Sequence, residues 1–137
     1  MAVKVLLPWN RWWADSQDAH TSPDALDIFI RHGVQILARV GAQRGNARCL
    51  RRARAAQFVR AGEQRRVDSC REAVSVMASK PGGLRPGLSE AEVTDTLVVL
   101  FSAELHHALA VGRGWPTGRC VEFFADILPA QLFDDPP

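Results

Sequence analysis

The sequence lacks the features of several common protein classes. No apolar run approaches the roughly 20 residues that a membrane-spanning helix needs. Lys4 is followed by only three apolar residues before Pro8, too short a stretch for the hydrophobic region of a signal peptide. No apolar–polar alternation typical of strands and no internal repeat occurs. We therefore expect a cytoplasmic, helical protein that has no membrane partner.

Cysteine is scarce, with Cys49, Cys70 and Cys120 only. The number is odd and no CxxC pair exists, which argues against a disulfide framework and against a zinc site. Isolated cysteines in a cytosolic protein are most often small core residues. We therefore expect buried thiols, no metal ion and no other cofactor.

Motifs of common enzyme classes are also missing: there is no GxSxG sequence, no Walker loop and no HExxH sequence. His106 and His107 are adjacent, so on a helix they point about 100° apart and cannot bind one metal ion together. Cys120 has no histidine partner in the sequence, and its thiol is expected on an apolar helix face. The sequence therefore predicts that the protein is not an enzyme.

Charge is unevenly distributed along the 137 residues, although the net charge is only +2. Residues 44–71 hold nine arginines against Glu63 and Asp68, a net charge of +7, so the remaining residues carry −5. Such a segment serves either as a solvated helix face or as a basic surface that contacts phosphates or an acidic protein. The arginines are Arg44, Arg48, Arg51, Arg52, Arg54, Arg60, Arg65, Arg66 and Arg71.

Apolar residues recur at spacings of three and four, which predicts helices through most of the chain. The first is expected to begin at Ser22 as N-cap, with Pro23 in the first turn, and to stop at Gly41. The second covers about residues 48–80 and ends at the following Pro-Gly-Gly sequence, although the part before Phe58 could form a separate short helix.

Two further helices are predicted in the C-terminal half. Ser89 and Glu92 form a capping-box pattern at the start of a long helix that should continue to Gly112. A last helix should cover about residues 117–128 and break at Pro129, although residues 130–133 could add a further turn. The pattern predicts an all-α, orthogonal bundle of four to six helices. We expect an irregular N-terminal segment over residues 1–21, one helical domain over 22–133 and a tail over 134–137.

The order of several short segments resembles the C-terminal regulatory domain of tetracycline-repressor (TetR) type regulators. The sequence LRPGLSEAEVTD at residues 84–95 resembles the family's opening of a long helix. It is followed by SAEL at 102–105, by RGW at 113–115 and by a final helix with Arg119, Glu122 and the pair Phe123-Phe124. QRR at 64–66 matches a further family pattern. The departures are Ala103, His106, Pro116-Thr117 and Gly118, where the family favours other residues.

The resemblance implies a homodimer formed by the last two helices and a buried cavity for a small apolar effector. The implied dimer interface is Val93, Leu97, Leu100, Phe101, Leu105, Phe123, Phe124, Ile127 and Leu128. The implied pocket is Phe29, Leu37, Phe58, Val67, Cys70, Val74, Met77 and Phe101. In such regulators, effector binding alters the spacing of two DNA-reading heads.

Residues 1–21 are too few for the family's three-helix DNA-binding head, so direct DNA binding is not expected. The sequence leaves open a naturally headless protein, a truncated one and a misassigned start. An alternative function is a helical nucleic-acid- or protein-binding module that uses the arginine-rich segment 44–71. A third, weaker alternative is a remnant that folds without a function.

Overall fold

The computed structural model describes the backbone of residues 14–47 and 52–133 and the side chains of residues 14–39 and 60–133. Within these residues the chain has five helices and no strand, which confirms the predicted all-α class. A short helical turn at 14–18 precedes them, inside the segment expected to be irregular. The helices are α1 (Ser22–Ala47), α2 (Arg52–Ala78), α3 (Glu90–Leu100), α4 (Ala103–His107, continued by a π-helical turn at Ala108–Gly112) and α5 (Thr117–Leu132).

Helix α1 does not stop at Gly41, as the sequence predicts, but continues through Gly45 to Ala47. Glycine lowers helix stability by only about 1 kcal/mol relative to alanine, so it weakens a helix without forbidding it. The start of α1 also differs from the prediction. The hydroxyl of Thr21 accepts the Asp24 N–H at 3.2 Å, which makes Thr21 the N-cap in place of Ser22.

Ser22 joins the start of α1 to the end of α2. Its side chain is fully buried and its hydroxyl donates to the Met77 carbonyl at 2.6 Å. The Ser22 N–H donates to the carbonyl of Pro81 at 3.0 Å. Lys80 donates to the carbonyls of Gln17 and Ala19, so its charge lies at the C-terminal end of the 14–18 turn. Polar contacts therefore close one end of the α1–α2 hairpin.

The long helix predicted from Ser89 to Gly112 is divided in two. Its start is as predicted, because Ser89 and Glu92 form both hydrogen bonds of the capping box. Helix α3 ends at Leu100, and the extended backbone of Ser102 starts a new helix. The Ser102 hydroxyl accepts the Leu105 N–H at 3.1 Å and caps α4.

Arg66 of α2 binds the backbone where the two helices separate. One of its terminal nitrogens donates to the carbonyls of Val98 (2.9 Å) and Phe101 (2.8 Å). The rest of the guanidinium forms a two-point pair with Glu63, at 2.6 and 3.2 Å. Burial opposes the charge of Arg66, but the hydrogen bond and charge of Glu63 outweigh it and raise its pKa above the ordinary value. A cation from α2 thus caps the end of α3.

We expect Arg66→Met to lower the free energy of unfolding by about 2 kcal/mol, because two partly buried carbonyls lose their donor. Arg65→Met is the matched control, since Arg65 is the exposed neighbour on the same helix. The control should change stability by less than about 0.5 kcal/mol. Guanidinium unfolding followed by circular dichroism measures both. Equal effects of the two substitutions would contradict a capping role for Arg66.

The hydrophobic core lies between α1, α2, α3 and α5, with α4 closing one side against α1. Helix α5 contributes one stripe of buried residues four apart, ending in Leu128 and Leu132. Pro129 lies inside α5 and does not end it, contrary to the prediction. The missing N–H costs one helical hydrogen bond, and the full burial of Leu132 one turn later offsets that loss.

Phe101 lies at the centre of the core, where the chain leaves α3. Its ring packs against Phe29 at 5.4 Å and edge-on against Phe124 at 4.9 Å between centroids. The ring also lies directly on Gly33 of α1, where a Cβ atom would be only 2.6 Å from the ring Cζ. Gly33 therefore permits an approach between α1 and the α3–α4 junction that no other residue allows.

Gly33→Ala should destabilise the protein by about 2 kcal/mol, because Phe101 is almost fully buried and its ring has nowhere to move. Gly62→Ala is a matched control, since a Cβ atom there meets nothing within 4 Å. That substitution should stabilise α2 by about 0.5–1 kcal/mol through helix propensity. The comparison uses the midpoints of chemical unfolding. A stabilising effect at both positions would show that a methyl group at residue 33 fits beside the Phe101 ring, and would contradict this prediction.

Candidate functional site

Most residues of the predicted effector pocket belong to the packed core. Phe29, Leu37, Cys70, Val74, Met77 and Phe101 are each no more than 6% exposed. Val67 is half-buried, and the side chain of Phe58 is outside the described residues. The structure thus brings most of this set together, as the helical stripes predict. Their role as a ligand pocket stays a prediction.

A separate cleft of about 140 Å³ lies between α1 and α5. Its deepest residues, Leu26 and Ile30, are almost fully buried, while Ala125 and Pro129 are half-buried. Asp27 provides its one charged group, and the carboxylate also pairs with Arg31 at 2.8 Å. The lining residues are Pro23, Leu26, Asp27, Ile30, Ala125 and Pro129.

The sequence does not predict this cleft, because Pro129 is expected to break the last helix, with at most one further turn after it. The signal for a longer α5 was present: Leu132 continues the four-residue spacing of the apolar stripe beyond Pro129. Because Pro129 lies inside α5, it joins Ala125 as a second residue of that helix in the cleft wall beside α1.

The residues predicted for the dimer interface fall into two groups. Val93, Leu97, Phe101, Phe124 and Leu128 are at most 2% exposed and pack within the chain's own core. Leu100, Leu105, Phe123 and Ile127 are only partly buried. The monomer therefore already covers five of the nine residues, and four retain accessible surface.

Val99 of α3 is a large apolar residue that the chain leaves uncovered, with 69% of its surface exposed. Helix α3 packs directly against α5. Val99, Leu100, Phe123 and Ile127 are thus apolar residues on two neighbouring helices that the monomer does not fully cover; we call them the α3–α5 set. Three of these four residues belong to the dimer interface that the family resemblance implies.

The aromatic core extends towards the surface through α5. Phe124 contacts Phe123 at 5.5 Å, and Phe123 contacts Trp115 edge-on at 5.7 Å. The guanidinium of Arg119 stacks over the Trp115 ring at 4.0 Å. The RGW turn and the last helix therefore hold each other by aromatic and cation–π contacts.

The arginine-rich segment is only partly described. The side chains of Arg44, Arg48, Arg51, Arg52 and Arg54 are outside the described residues. Arg66 caps α3, and Arg71 pairs with Asp68 at 3.2 Å. Arg60 and Arg65 are exposed. At least one arginine of the segment 44–71 thus has a structural role. Use of this segment as a nucleic-acid- or protein-binding surface stays a prediction.

Cys70 and Cys120 are fully buried, as predicted, while Cys49 is outside the described residues. Burial raises the pKa of Cys70 to about 11 and also raises the pKa of Cys120. His106 is buried, and desolvation together with the neighbouring His107 lowers its pKa. Both thiols are protonated and the His106 imidazole is neutral at pH 7. Among the described residues, no group of three or more metal-binding side chains occurs.

The buried thiols should be unreactive in the folded protein. In a Cys49→Ser variant at pH 8, we expect Ellman's reagent to modify Cys70 and Cys120 at least about a hundredfold more slowly than free thiols, since thiolate formation and access are both suppressed. The same variant in guanidinium provides the control and should release both equivalents at once. Rapid native-state labelling of either cysteine would contradict this arrangement of the core.

No protein-family model, no curated protein and no solved structure matches this chain. In the part of the chain that the structure describes, no helix combines the length and apolarity required to cross a membrane.

Proposed function

We propose that this chain is a TetR-like regulatory domain that binds a small effector and forms a homodimer through α3 and α5. The observation that supports the dimer most directly is the α3–α5 set, with Val99 the most exposed of its members. Two-fold self-association is the commonest way in which a soluble protein covers such a surface. The proposal includes a cytoplasmic location and a role in transcriptional regulation.

The internal packing of α3 and α5 suits this role. Their inner faces are fixed in the core by Val93, Leu97, Phe124 and Leu128, each essentially unexposed. An interface formed from the outer sides of two helices that are already held together needs little reorganisation on binding, which lowers the entropic cost of association. Two copies would then pack four helices together, as the resembled family does.

Effector binding is the second half of the proposal. Regulators of this kind couple ligand affinity to the arrangement of the dimer, with typical coupling energies of about 1–3 kcal/mol. The position of α5 supports such coupling, because it forms part of the α1–α5 cleft and also carries Phe123 and Ile127 of the α3–α5 set.

Light scattering after size-exclusion chromatography tests the dimer. At micromolar concentration we expect a mass of twice 15.1 kDa. Val99→Glu should shift the protein towards the monomer and weaken association at least about tenfold, because it places a charge in an apolar contact. It should fold normally, since Val99 is exposed in the monomer.

Val111→Glu is the matched control for this experiment. Val111 is 68% exposed and lies in the π-helical turn outside α3 and α5. Its substitution should leave the mass unchanged. A strictly monomeric wild-type protein, or equal effects of the two substitutions, would refute dimerisation through α3 and α5.

A further inference from the structure

The α1–α5 cleft has the composition of a small binding site. Five of its six lining residues are apolar, and the sixth is Asp27. Its volume of about 140 Å³ is close to that of a cavity that accommodates a single benzene ring. Leu26 and Ile30 belong to the core and close its inner end, so its shape is fixed by the packing of the fold.

Pro129 also alters the backbone hydrogen bonding of the helix that forms one wall of this cleft. In a regular helix the N–H of residue 129 would donate to the carbonyl of residue 125, but Pro129 has no N–H. The carbonyl of Ala125 therefore lacks its usual helical donor, and both residues belong to the same wall of the cleft. A carbonyl that has lost its helical donor gains stability from a hydrogen bond to another molecule.

Both polar groups accept hydrogen bonds, and Asp27 is negatively charged. The complementary ligand must therefore donate hydrogen bonds and carry positive charge, while its body must be compact and apolar. Arg31 already pairs with Asp27, but that pair is exposed on one helix, with side-chain exposures of 65% and 44%. Exposed pairs of this spacing contribute little to stability, so a ligand displaces or shares Arg31 at low cost.

We propose that the α1–α5 cleft binds a small primary ammonium compound with a hydrocarbon body about the size of one six-membered ring. The ammonium group lies between the Asp27 carboxylate and the Ala125 carbonyl, and the hydrocarbon lies against Leu26 and Ile30. This inference rests on the effector-binding half of the proposed function and names the ligand class for it. It does not depend on the dimer.

Cyclohexylamine is a suitable probe, and cyclohexanol and cyclohexanecarboxylate provide neutral and anionic compounds of similar size. Amide chemical shifts from 15N-labelled protein at pH 7 report binding. We expect saturable shifts in α1 and α5 with the amine. The alcohol should bind about tenfold more weakly and the carboxylate not measurably, because charge-assisted hydrogen bonds are lost or replaced by repulsion. Equal affinity for all three compounds would overturn the proposal.

Substitutions test the contributions of Asp27 and the Ala125 carbonyl separately. Asp27→Asn should weaken amine binding about tenfold, whereas Asp24→Asn, one turn earlier on α1 and outside the cleft, should not. Pro129→Ala restores the N–H that pairs with the Ala125 carbonyl and should also weaken binding, while it strengthens α5. Binding that is unaffected by both Asp27→Asn and Pro129→Ala would refute this site.

The same titration in the Val99→Glu variant keeps the two proposals distinguishable. Amine binding should persist there, since Val99 is outside the cleft. Loss of binding in this folded variant would contradict a site contained within one chain. A dimer that forms normally but shows no amine-induced shifts would refute the ligand class and leave dimerisation through α3 and α5 standing.

Discussion

The contact between Arg66 and the end of α3 fixes the geometry on which the rest of the described structure depends. A helix of the predicted length would carry Phe101 and Leu105 along one straight stripe. With the carbonyls of Val98 and Phe101 bound to the guanidinium, the chain changes direction. Phe101 then packs on Gly33, Phe29 and Phe124 at the centre of the bundle. One partly buried cation therefore stabilises the change of direction that lets α1, α3 and α5 meet around Phe101.

The sequence predicts those parts of the structure that depend on neighbouring residues. Helical spacing identifies four helical stretches, of which the structure divides the third into α3 and α4. The capping box at Ser89 and Glu92 places the start of α3 correctly. The only local sign of the break after Phe101 is Ser102, an N-cap residue type, and the Arg66 side chain that stabilises the break is 35 residues away on α2. The same limitation affects Pro129: a local rule ends the helix, whereas the burial of Leu132 continues it.

The sequence likewise predicts only part of each candidate site. Apolar spacing locates the inner faces of α3 and α5, but spacing alone does not distinguish residues that pack within the chain from residues that face a second copy. Val93 and Leu97 proved to be core, while Val99, outside the predicted stripe, is the exposed residue. The cleft depends on the approach of α1 to α5, a tertiary contact between residues about 100 positions apart that no local pattern encodes.

Helix α5 connects the two proposals physically. Ala125 and Pro129 contact the cleft beside α1, while Phe123 and Ile127 retain accessible surface towards the proposed interface. A ligand changes the dimer only if it binds one position of α5 more tightly than another. The stripe from Cys120 to Leu132 resists tilting, because its residues are fully buried. Any coupling between the cleft and the proposed interface therefore requires a movement of α5 that keeps this stripe buried.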